Sequence, residues 1–147
     1  MLASEFVVVD TDVYSSLFID PAGAERRGLP LHIWRRTLQG RRVIISFQSR
    51  AEVLAGLAMS KWGKERLEQA RATLIATHTI HAEPTVIDAF ATLTAACRAE
   101  GHGLQAKVHN ADRWIAACSI AKSLPLLSGD QIYTNAPGLI LLPQEQH

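Results

Sequence analysis

Apolar positions along this chain fall into two rhythms. Three short runs, Phe6–Val9, Arg42–Phe47 and Leu124–Ser128, are nearly unbroken and too short for helices. Continuous runs of this kind predict strands buried on both faces, as in parallel sheets. Thr77–Ile80 and Gly138–Leu142 are weaker strand candidates. Elsewhere apolar residues recur at three- and four-residue spacing. This predicts helices over Thr11–Phe18, Leu31–Gln39, Gln48–Lys61, Lys64–Ala76, Pro84–Gly101 and Ala111–Lys122. Punctuation supports these bounds. Gly40 stops one helix, Gly63 breaks a helical hairpin, and Pro84 and Gly101 bracket another helix. Ser49 reads as an N-cap with Glu52 returning to it in a capping box, and Asn110 reads as the cap of the last helix. The Pro- and Gly-rich stretch Asp20–Pro30 reads as a loop. Strands alternating with helices predict an α/β class fold, with a mostly parallel central sheet covered on both faces.

Length and composition narrow the class. At 147 residues one domain spanning 1–147 is expected, and a core of this size needs no disulfide or metal staple. No apolar run approaches a membrane span, and MLASEFVVVD lacks the basic start of a signal peptide, so a cytoplasmic protein is expected. Cys97 and Cys118 sit in apolar helical stretches and read as buried thiols. The histidines form no zinc spacing. Net charge is +1, but up to Ala76 there are eleven Lys/Arg against eight Asp/Glu. The pairs Arg26–Arg27, Arg35–Arg36 and Arg41–Arg42 make a local basic face possible beside otherwise solubilising charge.

The candidate chemistry lies in four acids at element boundaries. Asp10 ends the first apolar run, Glu52 follows the second, Asp112 opens the last helix and Asp130 follows Leu124–Ser128. In parallel α/β sheets ligands bind beyond the carboxyl ends of the strands, so such side chains can share one crevice. Converged carboxylates repel one another unless a cation intervenes, and hard oxygen donors suit Mg²⁺ or Mn²⁺. Each acid also has an ordinary reading. Asp10 could cap the next helix, Asp112 could answer a helix dipole, and Asp130 could simply sit in a turn. Asp12 would share a face with Asp10 only if the strand continued. Ser128 is placed to orient a ligand or water, and Arg113, beside Asp112, to meet a phosphate. Trp34, Trp62 and Trp114 read as core residues with a secondary capacity to stack on bases.

The segments VVVDTDV, HNADRWIAA and LLSGDQIY, in that order and spacing from Phe6 to about Leu142, resemble a PIN domain, the ribonuclease fold of VapC-type toxins. Asp12 stands where that family often has Asn or Ser, Ser128 where it often has Thr, and Tyr133 where it often has Phe. The resemblance implies a three-layer α/β/α sandwich and a Mg²⁺-dependent endoribonuclease. Asp10, Asp112 and Asp130 would be metal ligands, and Glu52 would orient water or a second ion. It also implies an RNA substrate and a cognate antitoxin as partner. That antitoxin would lay a helix on the apolar positions of Leu31–Leu38 and Leu54–Trp62, stripes that could also be core, and the hairpin around Leu54, Leu57, Met59 and Trp62 could instead form a homodimer face. Two other readings stand beside it. VVVDTDV and SGDQ also resemble haloacid-dehalogenase phosphatases, with Asp10 as nucleophile and Asp12 as acid. A non-catalytic RNA- or protein-binding domain is the other. The closing PQEQH is expected to be too short to cover a crevice.

Overall fold

The computed structural model describes residues 5–145, so Met1–Ser4, on which the leader expectation partly rests, and Gln146–His147 lie outside it. Four strands among the described residues form one sheet: β1 (Phe6–Val9), β2 (Arg42–Ser46), β3 (His78–Ile80) and β4 (Leu126–Leu127). Their order is β3-β2-β1-β4 and every pairing is parallel. Residues along each strand alternate between the two faces. Val7, Val9, Ile45 and Leu127 join one core cluster, while Val8, Ile44 and Leu126 join the other.

The first cluster is closed by α1 (Thr11–Tyr14), α2 (Pro21–Arg26), α3 (Leu31–Leu38), α4 (Phe47–Met59) and α5 (Lys64–Ala76). The second is closed by α6 (Pro84–Glu100) and α7 (Asn110–Lys122). The result is the expected helix–sheet–helix sandwich. Cys97 and Cys118 are free and buried in the second cluster, where burial pushes the Cys118 thiol up to about 12. No helix among the described residues is long and apolar enough to cross a membrane.

The boundaries differ from expectation in four places. Asp20–Pro30 is not a bare loop: Asp20 accepts from the Gly23 amide at 3.1 Å, Pro21 sits at the helix start, and α2 follows. A Pro at that position loses nothing, because its missing N–H would have had no helical partner. The cap of α4 is Ser46, not Ser49, since Ser46 closes β2 and its hydroxyl accepts the Ser49 amide at 3.0 Å. That removes the capping-box account of Glu52. Asn110 is the first residue of α7 rather than its cap. The expected last strand shrinks to one parallel bridge, Leu126 to Leu141.

Candidate active site

Asp10 and Asp130, from the junctions after β1 and β4, and Glu52 and Asp112, from α4 and α7, line one cleft of about 770 Å³ at the carboxyl end of the sheet. Asp12 lines it too, and no Lys or Arg is among its lining residues. Asp10 is the innermost, only 6 % exposed. It does two jobs at once. Its Oδ1 accepts the Val13 amide at 2.9 Å, capping α1, and its Oδ2 accepts the hydroxyl of Ser128. Burial nevertheless dominates and pushes its carboxyl up to about 6, against the lowering effect of those two hydrogen bonds. The charges of Asp12 and Asp130 push the same way. An ionised Asp10 is therefore costly, and among the described residues no cationic side chain counters that cost.

Ser128 bonds to two parts of the site. It donates to Asp10 and accepts the Asp130 amide at 2.9 Å. Asp130 in turn caps a short 3₁₀ turn, Gln131–Tyr133, by accepting the Ile132 amide at 3.0 Å. The next residue along from Ser128, Gly129, has no room for a side chain: a Cβ there would lie 2.9 Å from Cζ2 of Trp34. Gln144 holds this loop from outside. Its amide accepts from Trp34 Nε1 at 3.2 Å and donates to the Ser128 carbonyl at 2.9 Å. Gln144 of the C-terminal tail thus lines a wall of the cleft, a contribution that the sequence reading did not anticipate.

Glu52 reaches the cleft from the second turn of α4. Its Oε1 accepts from Thr11 and its Oε2 from Gln48 Nε2 at 3.0 Å. Thr11 Oγ1 also lies 2.9 Å from Ser49 Oγ. A hydroxyl has one proton, and the carboxylate is the stronger acceptor, so Thr11 gives its proton to Glu52 and Ser49 donates to Thr11. Ser46 stands 3.2 Å behind Ser49 and completes the relay. Asp112 is part-exposed in the first turn of α7, where the helix dipole favours its charge. Its Oδ2 pairs with His109 Nδ1 at 2.8 Å, and its Oδ1 accepts from the Tyr133 hydroxyl at 3.3 Å. Burial, and then the charge of Asp112, push the Tyr133 phenol far above its ordinary range, so it stays a neutral donor.

The sequence did not reveal Thr11, Ser49, His109, Tyr133 or Gln144 as parts of this site. Thr11 carried one signal, a hydroxyl directly after a strand-end acid, and His109 and Tyr133 carried another, their place in the segments HNADRWIAA and LLSGDQIY.

Arg113 is a correction. It is 6 % exposed and turned away from the cleft, donating to the carbonyls of Leu104 at 2.8 Å and Gln105 at 2.5 Å and to Asn110 Oδ1 at 3.2 Å. Consecutive helix residues point about 100° apart, so the neighbour of a cleft-facing Asp112 packs inward. Its guanidinium also lies 5.3 Å from the Phe90 ring centroid. Trp62 stacks under Arg66 and Trp114 on Phe90, so only Trp34 of the three tryptophans borders the cleft. The apolar stripe read as a partner surface is mostly core: Leu31, Trp34, Leu38 and Leu57 are buried, leaving Leu54 and Met59 exposed.

Among the described residues no three His, Cys, Asp or Glu side chains stand close enough to grip an ion unaided. The donor set still fits a divalent cation. It is all oxygen, and its innermost carboxylate is desolvated without a positive partner. Mg²⁺ keeps several waters and takes only one or two carboxylates directly, so it needs no tight three-acid cage.

The PIN domain model matches residues 7–139 of this chain. Among curated proteins none matches it in sequence. Among solved structures, the chain is similar to VapBC2 from Rickettsia felis bound to a DNA fragment from its promoter. The two share 18% identity with a TM-score of 0.70, over 95% of this chain and 99% of that one. It is also similar to FitAcB from Neisseria gonorrhoeae, at 22% identity and TM-score 0.67, over 93% and 96% of the two chains. VapBC-5 from Mycobacterium tuberculosis, a member of the VapBC family of toxin–antitoxin systems, gives 19%, 0.61, 94% and 98%. At these identities the likeness is one of fold.

Proposed function

The chain belongs to the PIN domain family, and we propose that its acidic cleft is the active site of a Mg²⁺- or Mn²⁺-dependent endoribonuclease, the toxin of a VapBC-type pair. One observation carries the reading: five carboxylates line a single cleft without a basic side chain, and the deepest of them is desolvated. Such a site has an uncompensated negative charge that a divalent cation would neutralise. Asp10, Asp112 and Asp130 would hold the metal. When bound, a divalent ion supplies a water of lowered pKa and positive charge against the scissile phosphate.

The chain's own groups supply the positioning. Ser128 and the Val13 amide fix both oxygens of Asp10. Thr11 and Gln48 fix both oxygens of Glu52, whose remaining lone pairs are free to orient a water for in-line attack. The cleft walls formed by Leu29, Pro30 and Trp34 give the bases of an unstacked RNA strand an apolar surface. The phosphatase alternative loses its support, because the PIN domain model matches residues 7–139, the whole stretch that carries the acids.

A basic antitoxin segment suits the same cleft, since an Arg or Lys reaching the carboxylates would compete with the metal. A cytoplasmic setting and a single domain over 1–147 belong to this reading.

The test is cleavage of a labelled single-stranded RNA by purified protein in Mg²⁺, Mn²⁺ or EDTA. Wild type cuts with either metal and stops in EDTA. Asp10→Asn and Asp112→Asn lose roughly 100-fold or more, since even outer partners of metal ligands cost 10–100-fold when removed. Glu52→Gln loses most of its rate. Intact RNA with wild type in both metals, or wild-type rates from both Asp variants, contradicts the assignment.

A further inference from the structure

Asp112 is held by more than its place in a helix. We infer that His109 and Tyr133 are positioning residues that lock the Asp112 carboxylate in the orientation in which it meets a divalent ion. This rests on the reading of the cleft as a metal site. The two anchors come from different turns, one on each side of the carboxylate in sequence. His109 ends the 3₁₀ turn Lys107–His109 that leads into α7, and its Nδ1 lies 2.8 Å from Oδ2. Tyr133 ends the 3₁₀ turn Gln131–Tyr133, and its hydroxyl donates to Oδ1 at 3.3 Å.

The two bonds are unequal in kind. Tyr133 is 1 % exposed, and its ring belongs to the core cluster with Leu104, Ile115 and Leu126. Packing therefore sets where its hydroxyl sits, and the hydroxyl sets where Oδ1 sits. His109 is part-exposed and takes up the other oxygen. Each carboxylate oxygen keeps a second lone-pair site after these bonds. The turn that carries Tyr133 is also the one whose cap is Asp130. One short turn thus presents one carboxylate to the cleft and anchors another. This gives the metal two carboxylates at a spacing set before the ion arrives, so less ordering remains to be done at binding.

A simpler role is available to each anchor. A buried phenol needs a partner, and a His three residues before an Asp forms a common helix-start pair. The variants separate these roles from positioning. Tyr133→Phe keeps the ring and removes only the hydroxyl. His109→Ala removes the donor. His109→Asn returns a donor, because the Asn amide nitrogen occupies the place of Nδ1.

The readouts are Mn²⁺ affinity by isothermal titration of the metal alone and the apo melting temperature. Tyr133→Phe and His109→Ala are expected to bind Mn²⁺ roughly tenfold or more weakly, with His109→Asn restored to near wild type. In an Asp112→Asn background, Tyr133→Phe should weaken binding no further. If wild type binds Mn²⁺ and Tyr133→Phe binds it equally well, positioning is overturned, whatever happens to the melting temperature. A Tyr133→Phe effect that persists undiminished in Asp112→Asn overturns it too. Wild type that binds no Mn²⁺ overturns the metal-site reading and this inference with it.

Discussion

Asp10 and Asp130 occupy the same local motif in two different environments. Each caps the turn that follows it, through Val13 and Ile132 respectively, and each meets Ser128. Yet Asp10 is almost enclosed and Asp130 is exposed. The Asp10 carboxyl is driven up to about 6, with burial as the leading cause. Hydrogen bonding alone therefore does not set the electrostatics of an acid here. What sets Asp10 apart is that the fold leaves it dry, partnered only by neutral donors and close to two other negative charges.

The largest expected effect comes from removing that buried charge. In the apo protein at pH 7.5, Asp10→Asn should raise unfolding free energy, by at most about 3 kcal/mol for a carboxyl shifted from 3.8 to about 6. The amide keeps an oxygen to cap Val13. The sign follows from proton binding. The native state holds its proton to higher pH than the unfolded chain, so the Asp10 penalty is absent below about 3.8, grows as pH rises towards about 6, and is complete above it. Urea midpoints of wild type and variant should therefore differ at pH 7.5 and converge at pH 4. A difference that is the same at both pH values would show that Asp10 is not the titrating group.

A smaller effect separates the two acids through their shared partner. Ser128→Ala takes a donor from Asp10 and an acceptor from the Asp130 amide, and should cost about 1–3 kcal/mol. It should also push the Asp10 carboxyl higher still, as read by carboxyl NMR titration. Asp130→Asn keeps its cap and lies on the surface, so it should change stability by no more than about 0.5 kcal/mol. Equal costs for the two variants would erase the contrast drawn here.

Much of this contrast was legible in the sequence, because strand ends are local. The run FVVV followed by Asp10 placed both the strand and the acid, and Pro84 with Gly101 framed α6, where Gly101 takes the left-handed conformation that ends the helix. What escaped was non-local or directional. Trp34 against Gly129, and Gln144 bridging Trp34 to the Ser128 carbonyl, join residues distant in sequence. The inward turn of Arg113 depended on helical phase, which adjacency to Asp112 hid. The missed helix α2 was short enough that its Pro and Gly read as loop, although Asp20 followed directly by Pro21 was a usable start signal. Ser46 displaced Ser49 as a cap because the strand before it ended sooner than its apolar run implied. That shift freed Ser49 to face Thr11 and, through it, Glu52.

The central claim is that Asp10 is kept dry and unpaired for a divalent cation. Urea unfolding at pH 7.5 with increasing Mg²⁺, for wild type and Asp10→Asn, tests it without reference to any substrate. A ligand bound only by the native state stabilises by about 2.7 kcal/mol at a hundred times its dissociation constant. The wild-type midpoint should climb with Mg²⁺ and the Asp10→Asn midpoint should stay nearly flat, so that the metal narrows the gap that the apo proteins show. A wild-type midpoint that does not move with Mg²⁺ or Mn²⁺, or a variant that climbs equally, would contradict the account.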